Sequence, residues 1–324
     1  EKSTDRKFKV IALKWWEQQS SSWTEENAKK IKRWIEDDMK IVGDLPVDQI
    51  DEAHIRDVML AVESSSHPSA SSPILSNITR IFGYALSHRL TRTNPAQGFP
   101  LSDILKPLPK TKHRSAITDP KQLGKLIFDI DNLQTGSYCT VQALQLIPRL
   151  FLRPKEIRGL KWEYIDFENK LIRIPSDEMK KDREHLVPMS TQVIKQLETV
   201  KQVTGYSPYV FPSQRSSDNP MSKNVMTNRL RDMGYGADEM SAHGFRSTAS
   251  TLLHEQGYSH DAIEAQLAHL TGTATSRAYN RSIYLPERKK IMQAWSDYLV
   301  ILRNEAVPVE HPQKEVGEID STVS

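Results

Sequence analysis

Apolar residues in the first part of the chain recur at the three- and four-residue spacing of a buried helix face. The first such set is Phe8, Ile11, Ala12, Trp15 and Trp16. The same spacing predicts three further helices, at 24–43, 51–64 and 74–90. Thr24 is placed to cap the first of these, and Asn94-Pro95 follows the last, where proline cannot continue a helix.

The pattern changes beyond residue 114, where strands are predicted as well as helices. Helices are expected at 119–132, 138–152 and 286–303. Two runs rich in β-branched and aromatic residues, 164–167 and 171–174, flank a polar turn and predict a hairpin, and 185–188 has the composition of a third strand. Four serines precede helical patterns and are predicted N-caps: Ser190, Ser222, Ser241 and Ser259.

These elements predict a mainly α-helical protein with a small antiparallel β-sheet, divided into two domains. A length of 324 residues exceeds what one compact core usually needs. The segment 106–114 is rich in proline and lysine and is expected to link a helical domain at 1–105 to an α+β domain at 115–303. Residues 304–324 combine prolines with scattered acids and are expected to be a disordered tail.

Composition excludes several classes of protein. Hydrophobic residues make up 38% and charged residues 26%, as in ordinary globular proteins, and no apolar run is long enough to span a bilayer. Cys139 is the only cysteine, so neither an intrachain disulfide nor a cysteine-based zinc site can form. These features fit a reducing, cytoplasmic setting.

The net charge of +3 is unevenly distributed. Residues 304–324 hold one basic and five acidic side chains, so residues 1–303 carry +7. A basic body is compatible with a polyanionic partner such as nucleic acid, although many enzymes are mildly basic.

Two charged segments of the second domain are candidates for binding an anion. Arg153 precedes Pro154, which suits the first position of a helix, and an arginine beside a helix start is well placed to hold a phosphate. Glu156, one turn on, is placed to orient Arg153 or a neighbouring basic side chain. Lys180 lies in a charged turn between the second and third predicted strands. Taken singly, Arg153 fits an ordinary capped helix better than an anion site, and Lys180 fits a solvated turn better.

Two later segments carry histidines, an arginine and a tyrosine. His243 and Arg246 lie three residues apart and share a face if this segment is helical. His269 ends a Leu-Ala-His sequence, and Tyr279 follows ten residues later within Ala-Tyr-Asn-Arg. Either segment by itself also fits a scaffold role, with His269 ending a helix and Tyr279 half-buried.

In combination, these segments resemble the tyrosine recombinase family, most closely the integrases of phages and genomic islands. Five motifs occur in the family's order across 150–303: Arg-Pro-x-Glu-x-x-x-Leu-x-Trp, a lysine in a β-turn after methionine, His-x-x-Arg, Leu-Ala-His and Ala-Tyr-Asn-Arg. The helix after the tyrosine and the Asn-Pro-Ala sequence that ends the first domain also look like this family. No expected position is missing, which makes the match specific.

The resemblance implies an enzyme that cleaves and rejoins DNA through a 3′-phosphotyrosyl intermediate, integrating or excising a mobile element. Tyr279 would be the nucleophile. His243 would accept or position its proton, and Lys180 would protonate the leaving 5′ oxygen. The covalent link conserves the phosphodiester energy, so rejoining should need no ATP. The resemblance also implies no cofactor and no metal.

The same resemblance assigns the binding of the scissile phosphate. Arg153 and Arg246 would clamp its non-bridging oxygens, on which negative charge grows in the transition state. His269 would add a hydrogen bond to the same phosphate, and Glu156 would support the arginines.

Double-stranded DNA at specific attachment sites is the implied partner, bound by a homo-tetramer, with accessory DNA-bending proteins as further candidates. The first domain would be a core-binding clamp on the opposite side of the duplex. Its candidate DNA contacts are Lys29, Lys30, Arg33, Asn77, Arg80 and Tyr84. For each of these alone, a solvated face is at least as good an explanation. Longer relatives carry a further domain that binds arm sites, and this chain is expected to start after that domain. The expected location is the bacterial cytoplasm, in association with the nucleoid.

The predicted helix at 286–303 is amphipathic. In the resembling family, the segment beyond the tyrosine often docks on a neighbouring protomer, and the alternative is packing on its own domain.

Three other functions remain open at this point. They are a type IB topoisomerase-like enzyme that acts as a monomer, a non-catalytic DNA-binding protein derived from a recombinase, and a metal-dependent nuclease. The spacing of the acids assembles no carboxylate cluster for a two-metal site.

Overall fold

The computed structural model describes residues 6–107, 115–179, 184–269 and 284–306. The chain divides into two compact units, Glu1–Thr111 and Lys112–Ser324, and the boundary falls within the segment expected to link two domains. Both units are built mainly from helices, and the sheets are small and antiparallel, so the predicted fold class is confirmed. Within the described ranges, no helix is long and apolar enough to cross a membrane.

The first unit is a group of helices packed around one apolar core. The helices, numbered in chain order, are α1 (Phe8–Ser20), α2 (Glu25–Arg33), α3 (Lys40–Gly43), α4 (Glu52–Glu63), α5 (Ser71–Ser87) and α6 (Leu101–Ile104). The core includes the apolar faces predicted for α1 and α5. Thr24 caps α2 as predicted, because its hydroxyl accepts the Asn27 N–H.

Two predictions for the first unit need correction. The helix expected at 24–43 is interrupted by a π-helical turn, Trp34–Asp38, in which the Met39 N–H bonds to the Trp34 carbonyl at 2.9 Å. The helix expected at 74–90 is α5, which begins at Ser71 and ends at Ser87. It ends there because Arg89 adopts a left-handed φ of 56°, and the Leu90 N–H closes the turn on the Ala85 carbonyl at 2.9 Å.

The second unit surrounds a small sheet with helices. Its elements are α7 (Pro120–Asp131), α8 (Tyr138–Leu150), α9 (Pro154–Arg158), β1 (Ile165–Asp166), β2 (Leu171–Ile174), β3 (His185–Pro188), α10 (Thr191–Thr204), β4 (Pro212–Ser213), β5 (Ser216–Pro220), α11 (Val225–Asp232), α12 (Gly244–Glu255), α13 (His260–Gln266) and α14 (Leu285–Glu305). The sheet has the order β1-β2-β3, with Ile165 opposite Ile172 and Ile174 opposite His185. The predicted hairpin and third strand are therefore confirmed.

Some elements of the second unit differ from prediction. The β4–β5 pair was not predicted, because its polar residues show no alternating pattern. Ser190 and Ser259 cap α10 and α13 as predicted. The prediction for Ser241 was wrong, since His243 is the residue that precedes α12, although the Ser241 hydroxyl accepts the Gly244 N–H at 3.1 Å. The prediction for Ser222 was wrong, since Asn224 is the residue that precedes α11.

The last helix, α14, packs on the core of its own unit. Its buried side chains include Ile291, Met292, Trp295 and Leu299, and the Trp295 indole donates to the Pro148 carbonyl at 2.8 Å. These apolar residues of α14 therefore pack within their own unit, which is the alternative to docking on a neighbouring protomer. It extends to Glu305, so the first two residues assigned to the tail are helical. Residues 307–324 lie outside the described residues.

Candidate active site

Arg246 lies on α12 and is only 4% exposed. Its guanidinium donates to the carbonyl oxygens of Phe151 and Leu267, the latter at 2.5 Å. Phe151 has a left-handed φ of 57°, which ends α8 at Leu150, two residues before the predicted end. Such a φ is rare for a bulky residue. This turn and the end of α13 together supply the two carbonyls that hold the guanidinium in place.

His269 lies just beyond α13 and is brought to Arg246 by the way that helix ends. Ala268 is left-handed (φ 51°), and the His269 N–H bonds to the Glu264 carbonyl at 2.9 Å. The imidazole Nδ1 is 2.9 Å from Glu264 Oε2, and Nε2 is 3.4 Å from an Arg246 nitrogen. A guanidinium can only donate. In the neutral ring, Nε2 is therefore the acceptor and Nδ1–H faces the carboxylate.

Arg153 immediately precedes α9 and is held by Glu156. The Glu156 carboxylate accepts the Arg153 backbone N–H at 2.8 Å and its guanidinium at 2.7 Å. The Glu156 side chain is 5% exposed and that of Arg153 is 23% exposed. The carboxylate therefore contacts Arg153 as expected, and it leaves part of the guanidinium accessible. Because α9 has only five residues, the guanidinium and not the helix end is the candidate anion-binding group.

The electrostatics of Arg246 indicate that Arg153 is close to it. Burial and, after it, the positive charge of Arg153 lower the pKa of Arg246 to about 10, while the charges of Glu156 and Glu264 act in the opposite direction. The guanidinium is still charged at neutral pH. Two guanidiniums that repel each other in a partly buried site favour the binding of an anion between them.

Two further residues of this region escaped the sequence predictions. Arg288 on α14 is 3% exposed and donates to the Leu186 carbonyl and, at 2.9 Å, to Gln266 Oε1. Burial lowers its pKa to about 10. His185, the first residue of β3, is 5% exposed. Arg288 lies in a charged run, Glu-Arg-Lys-Lys, a composition that is typical of an exposed helix face. Its helical phase with Met292 and Trp295 was the signal that it is buried.

The remaining predicted catalytic residues are His243, Lys180 and Tyr279. His243 is half-buried and directly precedes α12, where its carbonyl accepts the Arg246 N–H at 3.2 Å. Lys180 and Tyr279 lie outside the described residues. The structure thus brings together Arg153, Arg246 and His269 from three separate segments of the chain.

The candidate DNA contacts of the first unit fall into different environments. Arg80 is exposed, and its guanidinium lies 5.2 Å from the Trp15 ring centroid and 5.8 Å from that of Trp23. Lys30 lies 4.9 Å from the Trp34 ring. These cations are held against aromatic rings and remain accessible at the surface.

The other candidates of the first unit differ in accessibility. Lys29 pairs with Glu25 at 2.5 Å, and Arg33 is exposed. The Tyr84 ring lies 4.0 Å from that of His88. Asn77 is only 7% exposed, and its amide donates to the Pro73 carbonyl at 2.8 Å. Its side chain is therefore used within its own helix.

Comparison with known proteins agrees with this architecture. Residues 117–285 match the Phage integrase family, and residues 8–99 match the Phage integrase central domain. The integrase of Shigella phage Sf6 is 30% identical over 300 residues, which cover 92% of this chain and 76% of that one. The fold is shared with two solved structures at low sequence identity.

One is the Tn1549 transposon integrase (residues 82–397) in complex with circular intermediate DNA, with a TM-score of 0.64, 17% identity and coverage of 85% of this chain and 94% of that one. The other is a lambda integrase tetramer bound to a Holliday junction, with a TM-score of 0.63, 15% identity and coverage of 82% and 77%. The protein is a tyrosine-type site-specific DNA recombinase. Within that class, it belongs to the phage integrase family.

Proposed function

We propose that Arg153, Arg246 and His269 bind the scissile phosphate and that Tyr279 attacks it. The observation that carries this proposal is the fixed position of the Arg246 guanidinium. Two backbone carbonyls hold it, and His269 contacts it. Donors held in place before the reaction stabilise growing charge without reorganising during it. Glu156 is proposed as the positioning residue for Arg153.

The proposed reaction is a transesterification. A lone pair of the Tyr279 oxygen forms the new bond to phosphorus, and the bond from phosphorus to the 5′ oxygen breaks. The phenol proton passes to His243, and Lys180 supplies a proton to the leaving oxygen. An ordinary phenol is almost fully protonated at neutral pH, so neighbouring cations favour its ionisation during attack. The reverse reaction, with a different 5′ hydroxyl, rejoins the strand.

We propose double-stranded DNA at specific attachment sites as the substrate, in the bacterial cytoplasm. Two duplexes exchange strands by four cleavages, so the proposed working unit is a homo-tetramer. The lambda integrase tetramer on a Holliday junction supports this assembly. In the first unit, Lys29, Lys30, Arg33, Arg80 and Tyr84 are the proposed contacts to the duplex. The burial of Asn77 argues against a contact by that residue.

The test uses a duplex that carries the attachment site and a nick near the cleavage point, incubated with the full chain in EDTA. An adduct that survives SDS is expected with the native chain and is expected to be absent with Tyr279→Phe. Tyr284→Phe is the matched control, because this nearby tyrosine bonds to Asp261 at 3.1 Å and is expected to keep the adduct. An adduct that persists in Tyr279→Phe would contradict the assignment of the nucleophile.

The same experiment separates the alternative functions. Tight binding without any adduct would support a non-catalytic DNA-binding protein. Cleavage that needs a metal, and therefore stops in EDTA, would support a nuclease. Relaxation of supercoils by a monomer, without pairing of two sites, would support a type IB topoisomerase-like enzyme.

A further inference from the structure

His185 is almost fully buried, yet one of its two ring nitrogens is unsatisfied. Only 5% of the residue is exposed, and no group bonds to the buried Nε2 in the part of the chain that the structure describes. A buried polar atom without a partner destabilises the folded state. Such an atom in a candidate active site calls for a functional explanation.

The surroundings of His185 are cationic. The charges that act on the imidazole are those of Arg288, Arg246 and Arg153, which come from α14, α12 and the start of α9. Burial, followed by these three charges, holds the pKa of His185 well below its usual range. The free ring is therefore neutral at physiological pH.

The backbone links these groups into one site. Arg288 donates to the carbonyl of Leu186, the neighbour of His185 on β3, and to the Gln266 side chain. The Gln266 backbone bonds to the His185 ring. The next residue, Leu267, provides a carbonyl for Arg246. Arg246 also contacts His269, which bonds to Glu264, and Glu156 bonds to Arg153. Among the described residues, His269, Glu264 and Glu156 are thus further ionisable groups around the site.

The chemistry of the ring indicates what would satisfy Nε2. Because Nε2 has no partner, the bond to the Gln266 backbone belongs to Nδ1, which donates its proton to the carbonyl. Nε2 then presents only a lone pair. Phosphate oxygens of a diester also present only lone pairs, so they cannot bond to this tautomer. A second ring proton would turn Nε2 into a donor and leave the bond to Gln266 intact.

We propose that His185 is a proton-binding member of the phosphate site, neutral while the site is empty and an imidazolium when a tetrahedral oxyanion is bound. The anion offsets the three guanidinium charges that oppose protonation, and it supplies an acceptor for Nε2–H. This inference rests on the phosphate-binding role proposed above for Arg153 and Arg246. His185 would then add one positive charge to the site as the phosphate binds.

The experiment follows the histidine rings of the full chain by ¹⁵N NMR between pH 5 and 8. Sulfate serves as a tetrahedral anion that does not titrate in this range, and chloride at equal ionic strength is the reference. In chloride, His185 is expected to remain neutral throughout. In sulfate, its midpoint is expected to rise by at least about one pH unit, and sulfate affinity to increase up to about tenfold per unit of pH decrease.

Two variants assign the signal and provide a control. His185→Gln removes the neutral signal, and it is expected to weaken the pH dependence of sulfate binding. His254→Asn removes an exposed imidazole of α12 that contacts His260, and it is expected to leave the coupling unchanged. If His185→Gln does not fold, the shift of the ring signal that stays neutral down to pH 5 in chloride still tests the proposal.

The outcomes separate this inference from the proposed function. If sulfate shifts the side-chain Nε–H signals of Arg153 and Arg246 while His185 stays neutral, the inference is wrong and the phosphate role stands. If those arginine signals do not respond to sulfate, there is no anion site and both proposals fail. An imidazolium at His185 in chloride, or a change of tautomer without proton uptake, would also overturn the inference.

Discussion

Glu156 is expected to be the residue on which the position of Arg153 depends most. Its carboxylate accepts both the Arg153 backbone N–H and the guanidinium, at 2.8 and 2.7 Å. In Glu156→Gln, the amide oxygen replaces one acceptor, but the NH₂ group faces a donor. The variant therefore loses one charge-assisted hydrogen bond, worth about 1.5–3 kcal/mol. It also loses the negative charge that offsets the repulsion between Arg153 and Arg246.

If this energy is lost from the transition state, strand cleavage slows by roughly 10- to 150-fold. The assay is single-turnover formation of the covalent adduct on the nicked duplex, with thermal unfolding measured in parallel. Glu156→Ala leaves the half-buried guanidinium unpaired and is expected to lower the free energy of unfolding as well, by about 3–5 kcal/mol.

The matched control for Glu156 is Glu163→Gln. Glu163 is 68% exposed and pairs with Lys161 at 3.5 Å, a geometry that contributes about 0–1 kcal/mol. This control is expected to cleave at the native rate. Cleavage by folded Glu156→Gln within about twofold of the native rate, well short of the tenfold that 1.4 kcal/mol represents, would refute the positioning role.

Three other predictions concern packing, pH and DNA binding. A Cβ at Gly124 would collide with the Leu302 carbonyl, so Gly124→Ala is expected to loosen α14 and lower the Tm of the second unit by roughly 2–10 °C. A Cβ at Gly83 would meet open space, so Gly83→Ala is expected to leave the Tm unchanged. Equal Tm changes in the two variants would contradict this prediction. Because the pKa of buried His185 is lowered, the unfolded chain takes up a proton below about pH 6.5 that the folded, anion-free chain does not. The free energy of unfolding is then expected to fall by up to about 1.4 kcal/mol for each unit of pH decrease. Denaturant titrations at several pH values should show a smaller pH dependence for His185→Gln than for the native chain. The same pH dependence in both proteins would contradict this prediction. Arg80→Ala is expected to weaken DNA binding and to reduce the salt dependence by about one phosphate contact, and binding isotherms at several salt concentrations that show the same slope as the native chain would exclude the contact.

Local patterns predicted most of the secondary structure correctly. The apolar spacing of α1 and α5 selected the face that is buried, because a helix repeats its side-chain directions every few residues. The β2–β3 strands followed from their β-branched composition. The motifs around Arg153 and Arg246 indicated the chemistry, because short motifs specify which side-chain types are present.

Helix ends were the weakest part of the prediction. The end of α8 depends on the left-handed Phe151, and the end of α13 on the left-handed Ala268. Neither residue is a glycine, so the sequence contains no glycine that would have predicted these left-handed turns. Their conformations depend on contacts made across the fold, including the edge-to-face packing of Phe151 on Trp295.

The sequence by itself determined the mainly helical fold class, the catalytic motifs and the family, because each depends on local periodicity or on residue identity. Only the tertiary structure decided that Asn77 is buried, that Arg288 lies beside the site, and that Nε2 of His185, near three arginines, has no partner among the described residues. These facts depend on contacts between residues far apart in the chain. The bonds of Arg246 to Phe151 and Leu267, for example, join three segments whose distances no local pattern encodes.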